Sequence, residues 1–271
     1  MASIDEKLLN VLSDVSQRVN NPFKDKWISI LGDSISTYDG WIPEGNAIYY
    51  PKDDVNDVSK TWWHILLTKL GAKLCVNESW GGRLMCEAKT STKAAYNAVN
   101  KLHRIKGNSY INLDGTTTTA TENINPDVIL VFVGINDFNC AVALGDITSC
   151  KPSYSMNTAT SFIDSYNAFL CSLVGTYYKN AQCYLMEPAY ISNIGFQEKN
   201  TSNNYLSEFQ AAVRHEAEIV GLNCIHISKI AVHAGNSTIN LIQTDKIHPK
   251  AIMMEKIANQ CYSEMMASNC L

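Results

Sequence analysis

WISILGDSIS, residues 27–36, sets an apolar run of Ile28, Ile30 and Leu31 directly before Gly32-Asp33-Ser34. A run this short, closed by a glycine and two small polar residues, predicts a buried strand that ends in a tight turn. The strand would deliver the Ser34 hydroxyl at its carboxyl end, the edge where α/β sheets place their chemistry. The same residues also suit an ordinary turn. The reading therefore depends on whether the rest of the chain supplies partners for Ser34.

Four more short apolar runs follow, at Lys73 to Asn77, Asp127 to Val133, Gln182 to Met186 and Cys224 to Ile227. The run at Asp127 to Val133 is apolar on both faces, as central parallel strands are. Helical spacing separates them. Trp62, Trp63, Leu66 and Leu67 predict a helix running to Gly71, and another is expected through Tyr96 to His103. Phe162, Tyr166, Phe169, Leu170, Leu173 and Tyr177 mark a long helix; Leu206, Phe209, Val213 and Val220 mark the next. Pro249 opens a closing helix with Ile252, Ile257, Cys261 and Met265. Asn108 to Asn125 is turn-rich and reads as a surface hairpin or loop. Strands alternating with helices imply right-handed crossovers and a parallel sheet covered on both faces.

Ahead of this pattern, Ile4, Leu8, Leu12, Val15 and Val19 form one stripe of an amphipathic helix, with Ser3 and Glu6 as its capping box. The expected division is an N-terminal helix over 1–22 and one domain over 23–271. Packing of that helix on the domain is the preferred reading, with a homo-oligomer contact or a link to another module as alternatives.

The chain has 271 residues, 46% of them hydrophobic, enough for a sizeable core. A net charge of -4 without any block of Lys and Arg argues against nucleic acid or an anionic membrane as partner. A small-molecule or glycan substrate fits better. No apolar run approaches the ~18 residues of a membrane span, and the first residues lack a basic segment followed by an apolar one. The expectation is a soluble protein, cytoplasmic as the sequence stands, with a secreted form open if its start has been trimmed.

Nine cysteines, without a C-x-x-C pair or cysteine-histidine groups at zinc spacing, indicate neither a disulfide framework nor a structural metal. Cys75, Cys171, Cys183, Cys224 and Cys261 read as core thiols, and Cys140 with Cys150 could pair across a loop.

The strand ends offer Ser34, Gly82 and Asn136, and the loop before the last helix offers Asp245 and His248. In a parallel sheet these converge on one edge. A serine hydroxyl needs a base within hydrogen-bond reach, and an imidazole has the right pKa once its tautomer is set. Asp245, three residues before His248, can set it. The N–H groups of Ser34 and Gly82 and the amide of Asn136 would hold the oxyanion. Thr37 to Ser59 carries Tyr38, Trp41, Tyr49 and Tyr50 and reads as a substrate wall or as a satellite cluster. Asp33 and Asp137 read as turn-capping residues, and His64 and His226 as packed or surface histidines. His233 is the rival base, but it lacks an acid at short spacing.

Gly32-Asp33-Ser34-Ile35, Asn77 through Gly82, Gly134-Ile135-Asn136-Asp137 and Asp245-Lys246-Ile247-His248 together resemble the four signature blocks of the SGNH hydrolases, the GDSL esterase/lipase family. The likeness spans Trp27 to about Met266. It implies a flavodoxin-like three-layer α/β/α sandwich with a five-stranded parallel sheet. It also implies ester hydrolysis without metal or organic cofactor, with Ser34 as nucleophile, His248 as base, Asp245 as third triad member and Gly82 and Asn136 as oxyanion donors. Ile35 stands where the family's name has leucine. Gly81-Gly82 replaces Ser-Gly, which leaves either glycine open as donor; Gly82 is preferred.

The expected function is a metal-independent serine esterase acting on short acyl esters, first of all acetyl esters of carbohydrates. The alternatives are a lipid esterase or thioesterase, and a glycan-binding module without turnover. A metal-dependent phosphoesterase is disfavoured because aspartates and histidines do not cluster at ligand spacing. A glycosidase is less supported because no pair of carboxylates can be placed.

Overall fold

The computed structural model describes residues 21–86, 93–149, 159–189, 199–230 and 241–268. The expected N-terminal helix, Cys150 and His233 lie outside these residues, so the pairing of Cys140 with Cys150 and the rival base fall outside them too.

All five expected strands form. They are β1 (Trp27–Gly32), β2 (Lys73–Asn77), β5 (Val128–Phe132), β6 (Gln182–Met186) and β7 (Asn223–Ile225). They make one parallel sheet in the order β2-β1-β5-β6-β7. Ile28 to Gly32 pair with Val128 to Phe132, and all five residues of β5 are buried, as the two-sided apolar run requires. The turn-rich segment is an antiparallel hairpin of β3 (Ser109–Ile111) and β4 (Thr117–Thr119).

The chain leaves β1 towards β2 on one side, then returns to build β5, β6 and β7 on the other. This reversal puts a topological switch point between the carboxyl ends of β1 and β5, where open α/β sheets bind ligands. It also sends the helices to opposite faces, as right-handed crossovers on the two sides of a reversal do. Helix α1 (Trp62–Leu70) accordingly packs with α6 (Ala251–Ser268), and α4 (Phe162–Ser172) with α5 (Leu206–Val220). Two shorter helices, α2 (Ala95–Ala98) and α3 (Ile135–Asn139), complete the set.

Local chemistry sets the helix ends. The Thr61 hydroxyl accepts the His64 N–H at the start of α1, and Gly71 closes it with φ 59, a left-handed conformation that suits glycine. Ser161 and Asp164 cap α4 reciprocally, at 3.2 and 2.7 Å.

Three helix expectations change in detail. Beyond Ala98 the Tyr96 to His103 helix tightens to a 3-10 turn over Val99–Lys101. The last turn of the long helix, Leu173–Tyr177, widens to π geometry. Ile252 is half exposed, because α6 buries Met253, Met254, Ile257, Ala258, Cys261 and Met265, and a position five residues before Ile257 falls off that stripe. Cys75, Cys183 and Cys261 are buried free thiols, while Cys171 and Cys224 are only partly buried.

Candidate active site

Ser34 opens a 3-10 turn, Ser34–Ser36, two residues past the end of β1, and the Asp33 carboxyl caps it by accepting the Ile35 N–H at 3.0 Å. The turn is clamped from below. Trp62 and Trp63, both fully buried, donate their indole N–H groups to Ser36 Oγ at 3.1 Å and Ser36 O at 3.0 Å. Asn77, at the end of β2, donates to the same carbonyl at 2.9 Å. A Cβ on Gly32 would meet Ser36 Oγ at 2.5 Å and Ser79 Oγ at 2.7 Å, so this close approach requires glycine.

The loop before α6 brings the base. His248 Nε2 lies 2.7 Å from Ser34 Oγ, and His248 Nδ1 lies 2.8 Å from Asp245 Oδ2. Asp245 Oδ1 accepts the N–H groups of Ile247 and His248, each at 3.0 Å, so one carboxylate ties off the turn and orients the ring. The arrangement is shallow, with Ser34 buried, His248 half-buried and Asp245 exposed.

The electrostatics suit a base. Burial lowers the pKa of His248 and outweighs the Asp245 carboxylate, which pulls it up, so the ring is neutral near pH 7. Burial would raise Asp245. The His248 N–H, the Tyr49 hydroxyl, the Ile247 N–H and the His248 ring together hold it well below the usual carboxylate range.

Two of the oxyanion candidates lie on segments that touch, since Asn136 reaches the loop that carries Gly82. Gly81 donates its N–H to Ala47 O at 2.8 Å, whereas the N–H groups of Gly82 and Ser34 have no acceptor among the described residues. Gly82 sits at φ +78, a conformation L side chains rarely adopt. Asn136, at the start of α3, donates one amide hydrogen to Arg83 O at 3.0 Å, which fixes the amide plane and leaves a second hydrogen for another acceptor. Asp137 does more than the expected turn-capping. Its carboxylate crosses to the Gly82 loop and accepts the N–H groups of Met85 and Cys86 at 2.9 and 2.8 Å.

The four aromatic residues divide. Tyr38 and Trp41 are partly exposed, and Trp41 packs on Trp63 with ring centroids 5.7 Å apart, so the wall and the satellite cluster share residues. Tyr50 is not part of any open wall. It is fully buried, edge-on to Tyr49 at 4.8 Å, and donates its hydroxyl to Pro249 O at 2.7 Å. Tyr49 lies flat on the His248 ring, with centroids 3.3 Å apart and planes 13° apart, and donates its hydroxyl to Asp245. No local spacing announces that contact, since Tyr49 and Asp245 are 196 residues apart.

His64 is buried, with Nε2 3.1 Å from Leu113 O. His226 has a partner the sequence did not reveal, Glu264 on α6, at 3.0 Å. Among the described residues, Glu187, Cys224 and His226 are one group whose ligand atoms, within 4.8 Å of one another, could hold a metal ion. Both Glu187 oxygens already accept, from Arg214 and from the Ser228 N–H, so the guanidinium supplies the positive charge there.

The fold recurs in solved structures. A protein described as a GDSL-like lipase from Bacteroides ovatus is 24% identical, with 90% of this chain and 99% of that one covered and a TM-score of 0.64. Its counterpart from Bacteroides uniformis is 23% identical, covering 88% and 94%, with a TM-score of 0.61. A lipase/acylhydrolase from Enterococcus faecalis is 13% identical, covering 90% and 96%, with a TM-score of 0.53. At these identities the likeness is one of fold. A comparison with curated proteins finds no match. The GDSL-like lipase/acylhydrolase family model matches residues 26–265, a span that includes Ser34, Gly82, Asn136, Asp245 and His248, and the chain belongs to that family.

Proposed function

We propose that the protein is a serine esterase that cleaves short acyl esters through an acyl-serine, with acetyl esters of carbohydrates as its first substrate class. The observation that carries this reading is the hydrogen-bonded line Ser34–His248–Asp245 with a neutral imidazole at its centre. Ser34 Oγ attacks the ester carbonyl while His248 Nε2 takes its proton. The tetrahedral oxyanion is held by the N–H groups of Ser34 and Gly82 and the Asn136 amide. His248 then gives its proton to the leaving alcohol. Water, deprotonated by His248, releases the acid and returns Ser34.

One feature supports a short acyl group: the site is shallow, with His248 half-buried and Asp245 exposed. A cavity of about 390 Å³ at the β2 edge, lined by Trp41, Asn77, Glu78, Lys101, Arg104 and Tyr110 among others, includes none of the triad or oxyanion candidates in its lining.

The test is acetate release from a panel of acetylated glycans by wild type and Ser34→Ala, with fluorophosphonate labelling of both. Release and labelling by wild type alone are expected, and equal release by the two proteins rejects the assignment. The names of the solved relatives favour a second reading, a lipid esterase. Rates on acetyl to decanoyl esters decide between the two, since a rise with chain length would favour the lipid. Glycan binding with neither turnover nor labelling would make the protein a binding module.

A further inference from the structure

Two contacts of Tyr49 converge on Asp245 and His248, one through its hydroxyl and one through its ring. Its hydroxyl lies between Asp245 Oδ2 and Gln243 Oε1, which is 2.7 Å away, and its single proton goes to the charged acceptor. Its ring covers one face of the His248 imidazole. Its other face carries the Lys52 ammonium, 4.7 Å from the ring centroid, since a ring stacked at 3.3 Å leaves no room on the first. The backbone is tied as well. The Tyr49 N–H donates to Thr37 Oγ1 at 2.9 Å, and that hydroxyl donates to Ser34 O at 2.9 Å. Tyr50 meets Tyr49 edge-on at 4.8 Å, while its own hydroxyl holds Pro249 O, next to His248.

We propose that Tyr49 is a positioning residue of the triad, holding the Asp245 carboxylate through its hydroxyl and the His248 imidazole through its ring. The proposal rests on the serine-esterase reading and replaces the expected role of Tyr49 as substrate wall. Asp245 Oδ2 serves two donors at once, Tyr49 and His248. Each bond donated to a carboxylate draws charge from it, so the Tyr49 hydroxyl tempers how strongly Asp245 stabilises the imidazolium. The stacked ring meanwhile blocks rotation of the imidazole away from Ser34. Burial and the neighbouring Asp245 both raise the Tyr49 pKa, so its proton stays in place as a donor. Among the described residues, the titratable or charged groups around His248 are Asp245, Tyr49, Tyr50 and Lys52, with Asp53 acting on Tyr49.

The test compares Tyr49→Phe, which keeps the ring and loses the hydroxyl, with Tyr49→Leu, which loses both. The His248 imidazole is titrated by NMR in each protein and assigned with His248→Gln. Tyr49→Phe is expected to raise the His248 midpoint by about half a pH unit, because Asp245 gains charge density. It should also lower kcat about threefold to tenfold with KM within twofold, and Tyr49→Leu should lower kcat further. In an Asp245→Asn background the added Tyr49→Phe should not move the midpoint, since the effect runs through the carboxylate. A midpoint unchanged by Tyr49→Phe, or a rise in KM as the only kinetic change, overturns the proposal. The titration needs no turnover. A protein that hydrolyses no ester would defeat the esterase reading, and the midpoint would still decide the role of Tyr49. Thermal melting of both variants identifies any loss of fold, and the conservative Tyr49→Phe carries the decision.

Discussion

Asp137 accepts the N–H groups of Met85 and Cys86, so the residue next to Asn136 fixes the loop that carries Gly82. The two segments that carry Gly82 and Asn136, both proposed as oxyanion donors, are thereby locked to one another. Asn136 adds a second tie through Arg83 O.

Replacing Asp137 by alanine leaves the buried N–H of Met85, at about 1–3 kcal/mol, and the half-buried N–H of Cys86 without that acceptor. The expected result is a clear fall in melting temperature together with a drop in kcat. Asp137→Asn, which keeps acceptor oxygen but loses charge, should lie between wild type and alanine. A variant that melts normally and turns over normally would show that the loop holds itself.

The two oxyanion donors can be separated by mutation. Asn136→Ala should lower kcat roughly a hundredfold to a thousandfold, the usual cost of one such donor, with little change in KM. Gly82→Ala must place an L residue at φ +78 and costs roughly 1–2 kcal/mol in backbone strain. It should lower stability and rate together. Kinetics and urea denaturation on the same two variants check both statements.

The depressed His248 pKa sets the acid limb of the rate profile. With the neutral ring as the proposed base, kcat/KM should be flat around neutrality and fall only as pH drops through a midpoint below the ordinary histidine value of about 6.5. A limb centred above that value would contradict the burial argument. Asp245→Asn removes the carboxylate that orients the ring and should lower kcat by roughly 10⁴.

Asp33 offers a stability test of its own. Burial lifts its pKa to about 7, opposed by the Ile35 N–H, with Asp137 raising it further and Arg83 lowering it. The folded protein therefore holds a proton that the unfolded chain has lost above about pH 4. The sign follows: this group's contribution is fully present below the unfolded pKa and is lost as pH rises towards 7. Asp33→Asn keeps an acceptor for Ile35 and removes the titration. Its stability relative to wild type should rise between pH 5 and pH 8, measured by urea denaturation at both. A constant difference would mean that Asp33 is ionised throughout.

The sequence by itself determined the five strands and the longer helices between and after them, and it singled out Ser34, Asp245 and His248, which the fold brings into one hydrogen-bonded line. The physical reason is locality. A buried parallel strand needs an unbroken apolar run, a nucleophile turn needs small residues after it, and an acid that orients a base through one turn lies three residues away. Only the tertiary structure decided what crosses between elements. Asp137 reaches Met85 and Cys86 over about fifty residues, Glu264 reaches His226, and Tyr49 reaches Asp245 across nearly the whole chain. Adjacent Tyr49 and Tyr50 look alike in a loop rich in aromatic residues. One stacks on the His248 ring and the other is buried with its edge towards both, and only packing decides which of two neighbouring rings meets the imidazole face to face.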